Sequence, residues 1–118
     1  MATSNNDQRI DYVELIVADI ARSRAFYGKA FGWTFKDYGP AYCEFGDGRL
    51  TGGFMLGKPA NTAGGPLVIL NAADLDATQR RVAEAGGRIV KPAYPFPGGR
   101  RFHFADPDGY ELAVWSAT

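Results

Sequence analysis

The chain lacks most of what would announce a chemistry on its own. It has one cysteine and one histidine in 118 residues. A lone cysteine closes no intrachain disulfide, and one cysteine with one histidine builds no four-ligand structural zinc site. Any site drawing two histidines from one chain is excluded as well. Net charge is missing too: 13 Lys+Arg balance 13 Asp+Glu. The basic residues are scattered rather than striped, so nothing marks a polyanion partner and nucleic acid is not expected. No run approaches the ~20 apolar residues that a membrane helix needs. Met1 to Gln8 shows neither a basic n-region nor an apolar h-region, so the expected setting is the cytoplasm, with no membrane partner.

Hydrophobic residues, by contrast, make up 46% of the chain and aromatic ones 14%, enough to fill the core of a single domain of this length. The organising feature is an internal repeat. Asp11 to Ile20 reads as a strand, then Asp19, then the start of a helix, and Pro66 to Leu75 repeats it with Asp74 in place of Asp19, an offset of 55 residues. Downstream, Ile20 matches Leu75, Ser23 matches Thr78, Ala30 matches Ala85 and Gly32 matches Gly87. Asp19 and Asp74 stand where a helix N-cap carboxylate accepts from free amides. Ile20, Ala21, Tyr27, Ala30 and Phe31 give the first helix an apolar stripe, and Leu75, Val82 and Ala85 the second. Gly32 and Gly86-Gly87 end them.

After each helix come three β-rich runs: Trp33 to Lys36, Ala41 to Phe45 and Gly52 to Leu56, then Arg88 to Lys91, Arg101 to Phe104 and Tyr110 to Trp115. Gly46-Asp47-Gly48 and Asp106-Pro107-Asp108-Gly109 read as hairpin turns. The expected fold is therefore α+β: two tandem βαβββ modules forming a curved mixed β-sheet cleft with helices outside. The boundaries are a disordered tail at 1–8, a first module at 9–63 and a second at 64–118, together one domain. Neither module buries its sheet alone, so they pair within the chain or with another copy. Alternation sends Val13, Leu15 and Val17 to the helix and leaves Tyr12, Glu14 and Ile16 on the cleft side. Leu67, Ile69 and Asn71, and Glu111, Ala113 and Trp115, are the corresponding cleft residues of the second module.

These residues resemble a known family. The duplicated plan, the opening Val13-Glu14-Leu15-Ile16-Val17-Ala18-Asp19-Ile20 running into Phe26-Tyr27 and Phe31-Gly32-Trp33, and the closing Phe104-Ala105-Asp106-Pro107-Asp108-Gly109-Tyr110 resemble the vicinal oxygen chelate superfamily. That family includes glyoxalase I, bleomycin-binding resistance proteins, fosfomycin-modifying enzymes and extradiol dioxygenases. The nearest likeness is to small, single-domain, glyoxalase-like bacterial members. The resemblance implies a divalent metal held by His, Glu or Gln at four strand positions, with substrate oxygens completing the shell. In this sequence those positions fall on Tyr12, Gly52, Leu67 and Ala113, none a normal ligand for such an ion. A one-residue slip only brings helix-facing apolar residues into the cleft. No metal and no other cofactor is expected.

Three polar residues are the catalytic candidates. Glu14 and Glu111 read either as a carboxylate pair that binds a cation, holds a cationic ligand or acts as base, or as solvated side chains paired with arginines. His103 alternates with Phe102 and Phe104, so it faces the cleft as base or donor, or is a plain surface residue. The sequence sets no serine, cysteine or acidic partner beside it. Cys43 reads as buried filler. Gly98-Gly99-Arg100-Arg101, following Pro92 to Pro97, reads either as a mobile cationic loop that clamps an anion or as a solvated turn.

Tyr12, Phe54 and Trp115, with Tyr38 or Tyr42 at the rim, surround a space floored by Gly52, Leu67, Ile69 and Ala113. They either line a ligand pocket or fill the space where the metal would lie. The expected function is binding of a small molecule in this largely apolar, aromatic-lined cleft by Tyr12, Glu14, Phe54, Leu67, Ile69, Glu111, Ala113 and Trp115, in a homodimer whose clefts draw on both chains. The alternative is a lyase, isomerase or dioxygenase of glyoxalase type working at a displaced site with Glu14, Glu111 or His103, or with a divalent metal after all. A third reading is an interaction module whose cleft Tyr12 and Trp115 close.

Overall fold

Each half of the chain folds by the same local signals. In the structure, a computed structural model describing residues 7–118, most of the expected tail at 1–8 lies outside the described residues. The elements run β1 (Tyr12–Val17), α1 (Ile20–Phe31), β2 (Thr34–Asp37), β3 (Tyr42–Gly46), β4 (Thr51–Leu56), β5 (Val68–Asn71), α2 (Leu75–Glu84), β6 (Arg88–Phe96), β7 (Gly99–Ala105) and β8 (Glu111–Ser116). Asp19 caps α1 by accepting from the Arg22 amide, and Asp74 caps α2 by accepting from that of Ala77. Gly32 closes α1 in the left-handed conformation at φ 72°, which a side chain with a Cβ rarely adopts.

The eight strands form two four-stranded sheets, ordered β1-β4-β3-β2 and β5-β8-β7-β6. In each, the first strand runs parallel to the last and the remaining pairs are antiparallel. How the halves meet, left open by the sequence, is decided on the helix side. Val17, Phe26, Tyr27, Phe45 and Phe54 of the first half share one core with Leu75, Val82, Phe102, Phe104 and Val114 of the second. The Phe26 and Phe31 rings lie 5.9 and 5.7 Å from that of Phe104. Burial of these rings, each removing ~150–250 Å² from water, supplies the main attraction between the halves. The outer face of each sheet points away from this core.

The Asp106-Pro107-Asp108-Gly109 turn does more than close a hairpin. The Asp108 carboxylate, with its side chain only 1% exposed, accepts from the Ala18 amide, the Arg22 guanidinium and the Ser23 hydroxyl. It thereby fastens the second half to the amide-rich start of α1. Tyr27 donates to Asp106 at 2.8 Å, and Tyr110 donates to the Ile16 carbonyl at 2.7 Å.

One expected loop is a strand. β6 continues past Lys91 through Pro92 and Pro95 to Phe96, with register shifts on either side of Lys91. A proline is tolerated there because β6 is an edge strand and bulges release ladder positions. The freed Ala93 amide donates to Gln79 of α2 instead. Arg100 and Arg101 thus sit on a hairpin, Arg100 bonded to Asp76 and to the Thr118 carbonyl.

Candidate functional site

The outer faces of the two sheets carry the polar residues singled out from the sequence, in two separate clusters. On the first sheet, Tyr12 and Glu14 project from β1, and Tyr42 stands across β4 on β3. The Tyr42 hydroxyl donates to Glu14 Oε1 at 2.8 Å, so the 2.6 Å contact between the two phenols is a bond from Tyr12 to Tyr42. Desolvation, followed by these bonds to Tyr12 and Glu14, holds the Tyr42 hydroxyl well above the usual phenol range, so it stays protonated. Between the strands lies Gly53, where a Cβ would fall on the hydroxyls of both tyrosines. Glycine at this position lets the phenols lie down on the strand.

On the second sheet, His103 is 4% exposed and uses both ring nitrogens. Nδ1 lies 2.8 Å from Glu111 Oε2 and Nε2 lies 3.0 Å from the Tyr94 hydroxyl, which also accepts from Arg101 Nε at 2.5 Å. With Arg101 donating to the phenol oxygen, one assignment satisfies every group of a neutral ring: Tyr94 donates to Nε2, and Nδ1 donates to Glu111. The acidic partner that sequence reasoning did not find for His103 is therefore Glu111. The signal was available in the hairpin register, which pairs Ala105 with Glu111 and His103 with Ala113. This sets Glu111 diagonally beside His103 on one face. Tyr94 was beyond reach because the β6 bulges that orient it leave no periodic trace.

The remaining candidates divide. Ile69 is 44% exposed and Trp115 half-buried, and both line a groove of about 760 Å³ between the halves, together with Val13, Trp33, Arg49 and Arg81. Ala113 is fully buried beside His103, and Leu67 is half-buried just ahead of β5. Phe54 departs from expectation: it is fully buried in the core, its ring 4.9 Å from Phe45 and 5.6 Å from Tyr27. Gly52 departs with it, since a Cβ there would meet the Phe45 ring and the Val13 carbonyl. The parity of β4 is one residue off the expected one, so Gly53 and Met55 face outward where Gly52 and Phe54 were expected. Cys43 is buried, and desolvation raises its thiol pKa, as befits packing rather than nucleophilic attack.

The positions at which the resemblance implies a divalent metal present a phenol (Tyr12), a glycine (Gly53 by the observed parity, Gly52 by the expected one), Leu67 and Ala113. This donor set does not fit a hard or borderline ion. Among the described residues no three His, Cys, Asp or Glu side chains converge on a point that would hold one. No helix among them is long and apolar enough to cross a membrane.

Residues 9–114 match the model of the glyoxalase/bleomycin resistance protein/dioxygenase superfamily. A curated relative, the anthracycline biosynthesis protein DauV of Streptomyces sp. (strain C5), is 31% identical over 111 residues, covering 89% of this chain and 40% of that protein. The chain spans less than half the length of the curated relatives it matches. Among solved structures, a glyoxalase-related enzyme from Fulvimarina pelagi superposes with a TM-score of 0.79 at 24% identity, covering 92% of this chain and 88% of that one. The fosfomycin resistance protein FosX from Listeria monocytogenes does so at 0.81 with 20% identity, covering 100% and 96%. At these identities the two structures establish the shared fold.

Proposed function

The chain belongs to the glyoxalase/bleomycin resistance protein/dioxygenase superfamily, and from that premise we propose that it is a small-molecule-binding member working without a resident divalent metal. The observation that carries this reading is the donor set Tyr12, Gly53, Leu67 and Ala113, together with the tyrosine and tryptophan side chains on the same faces. The ligand lies against these outer faces, in contact with Tyr12, Glu14, Ile69, Glu111 and Trp115. Exposed apolar side chains there, Tyr12 at 40%, Met55 at 38% and Ile69 at 44%, and the edges of β1 and β5, unpaired among the described residues, support a homodimer. In it the first sheet of one copy faces the second sheet of the other and the ligand is enclosed between them. Balanced charge and a single buried cysteine fit a cytoplasmic protein that binds neither nucleic acid nor membrane. Calorimetric titration of the purified protein with Mn²⁺, Ni²⁺ and Zn²⁺ tests the metal-free part: no stoichiometric heat is expected, and tight one-site binding overturns it. Sedimentation tests the dimer.

The hydrogen-bonded run Glu111, His103, Tyr94 favours a second reading, a displaced-site enzyme of glyoxalase type with these groups moving a proton. Turnover of a hemithioacetal probe that disappears in Glu111→Gln supports it. Turnover unchanged in both Glu14→Gln and Glu111→Gln removes those residues from any such role.

A further inference from the structure

Three arginines among the described residues are half-buried: Arg24, Arg100 and Arg101. Arg24 bonds Asp37 at 2.7 Å and Arg100 bonds Asp76 at 3.1 Å. Arg101 meets no carboxylate among the described residues. A partly desolvated guanidinium without an anion forgoes the partner that normally offsets its burial. What it has instead is a mount. Its Nε donates to the Tyr94 hydroxyl, and its central carbon stands 5.7 Å from the Tyr94 ring centre and 5.8 Å from that of Phe96. Tyr94 is itself held by His103, and His103 by Glu111, so the arginine ends a chain of fixed groups. The two terminal nitrogens enter no hydrogen bond among the described residues. Across the ladder from Arg101 is Trp115, whose ring lies edge-on to Phe96 at 6.3 Å and borders the groove between the halves.

A guanidinium presents a planar fork of donors that matches a carboxylate in two parallel bonds. Here the fork is unused, the Tyr94 and Phe96 rings stand against the guanidinium, and Trp115 lies across the ladder from it. We propose that Arg101 is the anion-reading residue of this face and takes the carboxylate of a planar aromatic acid whose ring packs against Trp115 and Phe96. The charged and titratable groups facing the cluster agree. Glu111 is occupied by His103, and Lys91, opposite His103 on β6, adds a second positive charge rather than a competing acid. The inference rests on the small-molecule reading above and names the ligand class for one of the two faces.

The test compares two probes of the same shape, 2-naphthoate and 2-naphthamide, by calorimetry and by the Trp115 indole resonance, in the wild-type protein and Arg101→Gln. The expected result is naphthoate binding that falls about tenfold or more in Arg101→Gln, while naphthamide binding, weaker from the start, changes less than about twofold. Tyr94→Phe, which removes the oxygen that holds Nε, weakens naphthoate by several-fold. Should Arg101→Gln fail to fold, Arg101→Lys carries the comparison, keeping the charge and losing the fork, with the same selective loss expected. Equal binding of both probes, unaffected by the Arg101 substitution, overturns the inference and leaves small-molecule binding standing. Binding of neither probe to the wild-type protein overturns the inference and counts against the small-molecule reading of this face.

Discussion

The two halves share a plan and differ in how each uses its outer face. In the first, the polar cluster is an exposed carboxylate with two phenols, Glu14, Tyr42 and Tyr12, lying on a glycine. In the second, it is a buried imidazole tied to a carboxylate and to a phenol, the phenol in turn accepting from a guanidinium. The shared features are those that fold a module: Asp19 and Asp74 at the caps, and parallel first and last strands. The two faces carry no such repetition. An inward position is constrained by the other half of the chain, whereas an outward one answers to whatever is bound there.

The sharpest way to break that contrast is to truncate one aromatic residue of each kind. Phe54→Ala empties a fully buried core position and is expected to cost about 3–5 kcal/mol. Trp115→Ala, on the outer face of the second sheet, is expected to cost about 1 kcal/mol or less and to act on ligand binding instead. Urea unfolding of the two variants checks this, and similar losses of stability would erase the distinction between the faces.

The adjacent glycines of β4 sharpen it within one strand. Gly52→Ala drives a methyl group into the Phe45 ring and the Val13 carbonyl, and the backbone cannot step aside, so a loss of about 2–3 kcal/mol is expected. Gly53→Ala meets only the ends of two tyrosine side chains that swing outward. A loss of about 1 kcal/mol is expected, with the hydrogen bond between Tyr12 and Tyr42 broken. Thermal melts rank the pair.

The smallest effect concerns the turn that joins the halves. Desolvation raises the Asp106 pKa despite the bonds from Tyr27, Tyr110 and Asp108. A carboxyl whose folded pKa lies above its unfolded value contributes stability that is fully present below the unfolded value and is lost as pH rises through the folded one. Asp76 behaves oppositely: Arg100 lowers its pKa, so its contribution is present above the unfolded value and fades as pH falls through the folded one. Asp106→Asn is therefore expected to flatten the decline in stability on raising pH just above the ordinary carboxylate range, read from unfolding midpoints across that window. An unchanged slope would remove Asp106 as its cause.

The repeat made most of the fold legible in advance, because caps, glycine stops and strand alternation are local and appear twice. Tyr12, Glu14, Ile69 and Trp115 follow from the alternation of strands that run straight. Phe54 and Gly52 were misplaced because nothing in Thr51–Leu56 marks which of two consecutive glycines faces the core; that choice is made by the Phe45 ring and the Val13 carbonyl. The link from Glu111 to Arg101 through His103 and Tyr94 stayed hidden for a different reason. It depends on cross-strand register and on two bulges in a proline-containing strand, where periodicity stops reporting direction.

The central claim, that a small molecule binds on these faces without a metal ion, is tested most directly by calorimetric titration of an apolar anionic dye in the presence of a metal chelator. The account predicts saturable binding that the chelator leaves unchanged and Trp115→Ala abolishes. Binding that appears only when Mn²⁺ or Zn²⁺ is supplied, or that persists undiminished in Trp115→Ala, would contradict it.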